Sequence, residues 1–251
     1  MVPKLDKVAF SIFGIDVMWY GILIGLGFLL GLFVATKNAK KENISEDTIL
    51  DLMIIALPSS IIGARIYYVI FSLDEYINDP IQIFNLRQGG LAIYGGLIAA
   101  FIAGYFFCKK KNIKFLKMAD IVAPAIALGQ GIGRWGNFIN QEAFGSPTNL
   151  PWGVLIDGQK YHPTFLYESL GDFAIFAFLM YFFHKRKEVD GQVISLYMIL
   201  YGILRFLVEG LRMDSLYIGS LRVSQIVSLI LVISGMILFI KFKKNYENNK
   251  A

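Results

Sequence analysis

Seven long apolar blocks, separated by short polar segments, dominate the sequence. They cover residues 15–36, 49–72, 91–108, 119–139, 170–184, 192–209 and 222–242. A run of about 20 apolar residues is long enough for a helix to cross a bilayer. The pattern therefore predicts an all-α integral membrane protein with seven transmembrane helices, in a single membrane domain that comprises residues 1–251. The first block is longer than the apolar core of a signal peptide, so we expect it to remain as a span.

The composition supports a membrane protein and excludes several kinds of site. Of the 251 residues, 56% are hydrophobic and 17% are charged, whereas soluble domains carry about 25% charged residues. Cys108 is the only cysteine, so neither an intramolecular disulfide nor a cysteine-based metal site can form. The net charge of +5 comes from residues that flank the apolar blocks, which indicates contact with lipid and not with nucleic acid.

Lysine and arginine are distributed unequally between the two sets of loops. One set holds fifteen of them: Lys37, Lys40, Lys41, Lys109, Lys110, Lys111, Lys114, Lys117, Lys185, Arg186, Lys187, Lys241, Lys243, Lys244 and Lys250. The opposite set holds six: Lys4, Lys7, Arg87, Lys160, Arg212 and Arg222. Because basic residues concentrate in cytoplasmic loops, we expect the N-terminus and the loop around 140–169 to be extracytoplasmic. The C-terminus is then cytoplasmic.

Polar residues lie near the predicted outer ends of five spans. They are Tyr20, Arg65, Tyr94, Arg134 and Asn137, followed by Tyr201, Arg205 and Glu209 in the sixth span. A charged residue inside a span costs at least about 2.5 kcal/mol and indicates function. Few acidic residues balance the three arginines, so we expect them to bind an anion, and a guanidinium suits phosphate. The alternatives are a structural ion pair between Arg205 and Glu209, and a snorkelling or interhelical role for Arg65.

Glycines are concentrated in two places along the spans. Gly95 and Gly96 begin the third span, where they either let a ligand approach the backbone at a helix N-terminus or allow close helix packing. Two pairs of glycines in the first span, Gly21 with Gly25 and Gly27 with Gly31, predict packing.

One segment resembles the signature of a known family. Residues 133–145, GRWGNFINQEAFG, are similar to the pattern G-R-x-G-N-F-x-N-x-E-x-x-G of the prolipoprotein diacylglyceryl transferases. Matching segments flank it in the right order at 19–21, 63–68, 162–168 and 201–212. The resemblance extends from about residue 17 to 230, which is nearly the whole chain.

The resemblance implies a reaction and a location. The diacylglyceryl group of phosphatidylglycerol would pass to the thiol of the lipobox cysteine of a preprolipoprotein, and glycerol phosphate would leave. This is the first step of bacterial lipoprotein maturation. The protein would lie in the bacterial plasma membrane with its site facing the extracytoplasmic side, and it would need no metal or organic cofactor.

The resemblance also implies roles for individual residues. Arg134 and Arg205 would bind the head group and stabilise the charge on the leaving phosphate. Asn137, Glu142 and Gly145 would shape the signature loop, and Glu209 would orient Arg205. The other residues expected to bind substrate are Tyr20, Arg65, Gly95, Gly96, Asn140, His162, Tyr201 and Arg212.

Tyr94 occupies a position where many family members have a histidine that is proposed as the base. Three interpretations stay open. Tyr94 acts as a phenolate base, or His162 or Glu142 accepts the proton, or the thiol loses its proton to water in the positive field of the arginines. We favour the third interpretation, in which Tyr94 is a hydrogen-bonding residue of the site wall.

Two other classes of protein also place arginines in a membrane. A transporter of anionic lipid is expected to have polar positions at the bilayer midplane and an inverted repeat. Another lipid head-group enzyme is expected to show metal-binding aspartates or a histidine–aspartate pair. Here the polar groups crowd into one leaflet, with few in the inner half. Metal-binding aspartates and a histidine–aspartate pair are not found, nor is a G-x-S-x-G or H-E-x-x-H motif. The nucleophile is therefore expected to come from the substrate.

Overall fold

Seven α-helices make up most of the chain in a computed structural model, which describes residues 6–86 and 89–248. They are α1 (Trp19–Lys41), α2 (Glu46–Phe71), α3 (Ile93–Lys110), α4 (Phe115–Asn140), α5 (Thr164–Lys185), α6 (Gln192–Glu209) and α7 (Val223–Asn248). Each is long and apolar enough to cross a membrane. The prediction of a seven-helix membrane protein is confirmed. Lys4, Arg87 and Lys250, which entered the charge comparison, lie outside the described residues.

Several helix ends differ from the predicted span boundaries by four to six residues, and two of these differences change the local structure. Residues 15–18 do not begin the first helix but form strand β2 (Ile15–Met18), which pairs antiparallel with β1 (Val8–Ile12). The fifth helix begins at Thr164 and not at residue 170. Its first two turns contain polar side chains that lower the local hydropathy, although Thr164 and Glu168 are buried in the protein interior.

The chain divides into two compact units, and unit 1 comprises Met1–Asn38 with Ala119–Ala251. Helix α4 is the most buried of the seven, because half of the residues in its most apolar part lie inside the protein. Small residues allow α1 to approach it closely: a Cβ on Gly27 would lie 3.4 Å from the carbonyl oxygen of Gly129, and one on Gly31 would lie 3.3 Å from that of Ala125. The predicted packing role of Gly27 and Gly31 is confirmed. The same prediction is wrong for Gly21 and Gly25, where a Cβ would meet no atom of the described residues within 4 Å.

Buried polar groups in unit 1 bond to neighbouring helices. Asp120 on α4 accepts hydrogen bonds from the backbone N–H groups of Gly191 (2.8 Å) and Ile194 (2.9 Å) at the start of α6. Ser169 donates to the carbonyl of Gly131 over 2.8 Å and so connects α5 to α4. Because the first N–H groups of a helix have no intrahelical partner, Asp120 acts as a cap supplied by a distant residue.

Two short hairpins in unit 1 lie beside the signature segment and the end of α6. Strands β3 (Val154–Ile156) and β4 (Gln159–Tyr161) form the first hairpin. Strands β5 (Tyr217–Ile218) and β6 (Leu221–Arg222) form the second.

Unit 2 comprises Ala39–Met118 and contains α2, α3 and two short 3-10 helices, Leu73–Glu75 and Pro80–Phe84. Helices α2 and α3 cross at glycines. A Cβ on Gly95 would lie 2.4 Å from the carbonyl oxygen of Gly63, and one on Gly96 would lie 2.9 Å from the hydroxyl oxygen of Ser60. These glycines are needed for helix packing, one of the two alternatives drawn from the sequence, and their role in binding substrate stays a prediction.

Candidate active site

A single buried carboxylate, Glu168 on α5, connects the arginines of unit 1. Its Oε2 lies 2.5 Å from Nε of Arg134 on α4, and its Oε1 accepts a hydrogen bond from Nη1 of Arg205 on α6. Nη1 of Arg212 lies 3.9 Å from the same Oε1. Glu168 is only 3% exposed. Three guanidinium groups from different parts of the chain therefore converge on one acid, as the predicted proximity of Arg134 and Arg205 requires.

Arg205 is held between two carboxylates. In addition to Glu168, it donates from Nη2 to Oε2 of Glu209, 2.6 Å away and one helical turn further along α6. Glu209 is 1% exposed. Both terminal nitrogens of Arg205 thus have acidic partners, so its orientation is fixed before any substrate binds.

Arg134 is held at one side only. Glu168 contacts its Nε, and neither Nη1 nor Nη2 donates a hydrogen bond to any of residues 6–86 and 89–248. Its side chain is 21% exposed. The terminal edge of a guanidinium can bind two oxygens of a phosphate at once. Arg134 therefore offers a pre-oriented and accessible edge for an oxyanion.

Arg212 forms a two-point ion pair with Asp214. Its Nε lies 2.9 Å from Oδ1 and its Nη2 lies 2.7 Å from Oδ2. The hydrogen bond from Arg212 holds the pKa of Asp214 below its usual value of 3.8. Together with Glu168 and Glu209, Asp214 balances the positive charge of Arg134, Arg205 and Arg212, which form the arginine cluster. The expectation that few acids accompany the arginines is therefore wrong for unit 1.

The signature loop is ordered by hydrogen bonds to Glu142. Oε1 of Glu142 accepts hydrogen bonds from Nδ2 of Asn137 (2.9 Å) and Nδ2 of Asn140 (3.3 Å). Gln141 and Ala143 have positive φ angles of 54° and 59°, so the chain turns sharply after α4. Glu142 also lines a cavity of about 560 Å³ beside this loop. The carboxylate thus connects the end of α4 to the turn that follows it.

Gly145 lies where three segments meet. Its N–H donates to the carbonyl of His162 (3.0 Å), and it forms a β-bridge with Arg212. A Cβ at this position would lie 2.7 Å from Cβ of His162 and 3.0 Å from Cγ2 of Thr164. No side chain larger than hydrogen fits, which explains the glycine in the signature.

The aromatic residues predicted for the site pack around the helices of unit 1. The ring of Tyr20 lies against Gly136 of α4, where a Cβ would come within 2.4 Å of it. Tyr201 stacks on Tyr197 with ring centres 5.5 Å apart. Nδ1 of His162 and the hydroxyl of Tyr167 share a hydrogen bond of 3.3 Å. These contacts place the rings but do not assign them a chemical role.

The remaining predicted residues, Arg65 and Tyr94, belong to unit 2. Arg65 is buried, and backbone carbonyls surround its guanidinium. Tyr94 lies in the first turn of α3 and is 39% exposed. Both residues are described only within their own unit.

Two acidic residues near the arginines, Glu168 and Asp172, were not predicted as site residues from the sequence. Glu168 belongs to a matched family segment, but the predicted span began after it. Asp172, one turn further along α5, is 1% exposed, and its Oδ1 has no hydrogen-bond partner within the described chain. The spacing of Thr164, Glu168 and Asp172 at four-residue intervals was the available signal, because it places them on one face of a helix.

Comparison with known proteins identifies the family. The family model described as prolipoprotein diacylglyceryl transferase matches residues 7–241. A protein of Finegoldia magna is 68% identical over 240 residues, which cover 96% of this chain and 97% of the relative. A protein of Clostridioides difficile is 56% identical and covers 98% of each chain. A protein of Bacillus cereus is 48% identical over 99% of this chain and 96% of its own length. All three are named phosphatidylglycerol–prolipoprotein diacylglyceryl transferase, and this chain belongs to the prolipoprotein diacylglyceryl transferase family.

Proposed function

We propose that the protein transfers the diacylglyceryl group of phosphatidylglycerol to the lipobox cysteine of a preprolipoprotein. The cysteine sulfur forms a bond to the glyceryl carbon that carries the phosphate. The bond between that carbon and the phosphate oxygen breaks, and its electron pair leaves with glycerol phosphate. The observation that supports this reaction most directly is the accessible edge of Arg134, which Glu168 holds in place.

The phosphate of the lipid is proposed to bind at that edge. Two phosphate oxygens would accept hydrogen bonds from Nη1 and Nη2 of Arg134 in a bidentate pair. Because Glu168 already fixes Nε of Arg134, little conformational freedom is lost on binding. Asn137 and Glu142 are proposed to support this position by ordering the loop that follows Arg134.

Arg205 is proposed to stabilise the charge that develops on the leaving phosphate. Glu168 and Glu209 hold its two terminal nitrogens, so its charge does not need to reorient during the reaction. Positive charge that is already in position lowers the barrier more than charge that must first move. Arg212 adds a third guanidinium at the same carboxylate.

The proton of the substrate thiol is proposed to pass to solvent. A thiol has a pKa near 8.5, and the accessible edge of Arg134 favours the ionised form of a sulfur beside it, although acids balance the summed charge of the arginines. Glu142 already accepts two side-chain hydrogen bonds, and His162 is bonded to Tyr167, so neither side chain is free of protein partners. Under this proposal, the reaction needs no base from the protein.

The reaction is proposed to take place at the extracytoplasmic face of the bacterial plasma membrane. In unit 1, Glu168 lies near the beginning of α5, whereas Lys185 lies at its end. Arg205 and Glu209 lie at the end of α6. In both helices the cluster is therefore at the end opposite the lysine-rich connection between α5 and α6. The positive-inside rule then places the cluster outside.

Cysteine labelling tests this orientation. Cys108 is buried and contributes little background. In intact cells, an impermeant maleimide should label Gln159→Cys and should label Lys243→Cys only after the membrane is opened. The reverse pattern would contradict the proposed orientation.

A transfer assay tests the proposed function. Purified protein is incubated with phosphatidylglycerol and a lipobox peptide, and mass spectrometry follows the peptide. We expect a diacylglyceryl thioether on the cysteine and an equal amount of released glycerol phosphate. A peptide with serine in place of the cysteine is the control and should remain unmodified. Absence of both products with a folded protein would refute the proposal.

A further inference from the structure

Arg65 of α2 uses its whole guanidinium group to bind one loop. Nε donates to the carbonyl of Ile83 (2.7 Å), and each terminal nitrogen donates to two further carbonyls. Those of Nη1 are Gly89 and Gly90, both at 3.0 Å, and those of Nη2 are Gln82 at 2.6 Å and Asn85 at 3.3 Å. All five acceptors belong to residues 82–85 and 89–90, the part of the described chain that leads into α3.

These five bonds leave no donor for a lipid phosphate. A guanidinium has five N–H groups in total, and each is directed at a carbonyl oxygen. The residue is also only 8% exposed, and its guanidinium lies 5.3 Å from the ring centre of Tyr76. Binding of the substrate anion, which the sequence led us to expect, would first require several of these bonds to break, so the contacts favour a different role for Arg65.

We propose that Arg65 is a positioning residue that holds the loop before α3 and thereby sets the place of Tyr94 in the first turn of that helix. The same loop is attached to α2 a second time, since the N–H of Ala92 donates to the carbonyl of Ala64 over 3.0 Å. Ala64 and Arg65 are adjacent, so two consecutive residues of α2 bind the segment that leads into α3. The kinetic consequence rests on the proposed transferase function.

Gly90 shows how closely the loop fits around Arg65. A Cβ on Gly90 would lie 2.2 Å from Nη1 of Arg65 and 3.0 Å from a ring carbon of Tyr68. Nη1 could move away only by giving up hydrogen bonds to the loop. Gly89 has no atom within 4 Å of the corresponding position. Both glycines have positive φ angles, +88° for Gly89 and +72° for Gly90.

The two glycines provide a matched pair of variants. Gly89→Ala and Gly90→Ala carry the same kind of backbone strain, but only Gly90→Ala displaces the guanidinium. Arg65→Lys is the third variant, since an ammonium keeps the charge but has three donors in place of five. Hydrogen exchange of the full-length protein in lipid nanodiscs, without substrate, reports on the amides of the loop and the first turn of α3.

Loss of the Arg65 contacts should loosen this segment. We expect exchange at least about tenfold faster in Gly90→Ala and Arg65→Lys than in Gly89→Ala, because local opening becomes easier when bonds that close the loop are lost. The transfer assay then measures the affinity of these variants for the lipid separately. KM for phosphatidylglycerol should stay within about threefold of the wild-type value, because Arg134 and not Arg65 is proposed to bind the lipid phosphate.

The alternative, a phosphate-binding Arg65, predicts a different result. KM for phosphatidylglycerol would rise in Arg65→Lys, and exchange in the substrate-free protein would remain as in the wild type. That outcome, or equal exchange in the two glycine variants, would overturn the proposal. If Arg65→Lys does not fold, the difference in hydrogen exchange between Gly89→Ala and Gly90→Ala alone decides between the two roles of Arg65. If the wild type transfers no lipid, the proposed function fails, while the exchange comparison still tests the role of Arg65 in the loop.

Discussion

Replacing Glu168 with glutamine removes the centre of the arginine cluster while keeping the shape of the side chain. Arg134 then loses its ion-pair partner, whereas Arg205 keeps Glu209 and Arg212 keeps Asp214. The substitution should therefore affect Arg134 most. We expect both a loss of stability and a loss of activity.

The size of the stability loss follows from the burial of the pair. Removing one partner of a buried ion pair costs about 3–5 kcal/mol. The side chains of Arg134 and Arg205 are 21% and 17% exposed, so water screens part of the unpaired charge and the lower figure applies. A loss of about 3 kcal/mol is a large part of a total stability of about 5–15 kcal/mol. For a chain of this length it corresponds to a midpoint roughly 6–12 °C lower.

The activity loss follows from the position of Arg134. Without Glu168, the accessible edge of Arg134 is no longer held in one orientation, and such misplacement costs about 100-fold in rate. Thermal unfolding in detergent and kcat/KM in the transfer assay measure the two effects. Glu209→Gln is the comparison variant, because it removes one contact to Arg205 and leaves Arg134 in place. Wild-type stability and turnover in Glu168→Gln would refute the role of Glu168.

Three further substitutions test separate parts of the structure. Asp120→Ala should lower stability by about 2–4 kcal/mol, measured by thermal unfolding, because two backbone N–H groups at the start of α6 lose their acceptor. Arg212 lowers the pKa of Asp214, so this pair should stabilise the protein above pH 3.8, and its contribution should disappear as the pH falls further. The difference in unfolding midpoint between wild type and Asp214→Asn, followed from pH 6 to 3, measures it. Tyr94→Phe should retain most transfer activity, because the thiol proton passes to solvent.

Each of these expectations has a clear contrary result. Unchanged stability of Asp120→Ala would mean that the cap contributes nothing. A midpoint difference for Asp214→Asn that grows as the pH falls would reverse the sign derived from the ion pair. Near-complete loss of activity in folded Tyr94→Phe would show that the phenol takes part in the chemistry.

Hydropathy predicted the seven helices, but it did not predict that Glu168 and Asp172 lie in the protein interior. A helix that crosses a membrane needs about 20 apolar residues, and that requirement is visible in the sequence. The beginning of α5 was missed because Thr164, Glu168 and Ser169 lower the local hydropathy, although all three are buried against protein. Membrane helices can carry polar residues where these face other helices, and only the fold shows which residues do so.

The arginines could be located from the sequence, and so could Glu209 as a partner of Arg205, but Glu168 and the partners of Arg65 could not. Arg134 and Arg205 stand out as charges inside apolar helices, and the structure brings them to the same carboxylate. Arg65 looks the same in the sequence, yet its partners are backbone carbonyls of a distant loop. Any residue has a carbonyl group, so no pattern of side chains could have predicted those bonds.

The most direct test of the account is the transfer rate of variants at Arg134. With phosphatidylglycerol and a lipobox peptide, Arg134→Ala should abolish measurable turnover. Arg134→Lys should retain the charge yet lose at least about 100-fold in kcat/KM, because an ammonium cannot bind two phosphate oxygens in a planar fork. Near-wild-type turnover of a folded Arg134→Ala protein would contradict the claim that this guanidinium holds the lipid phosphate.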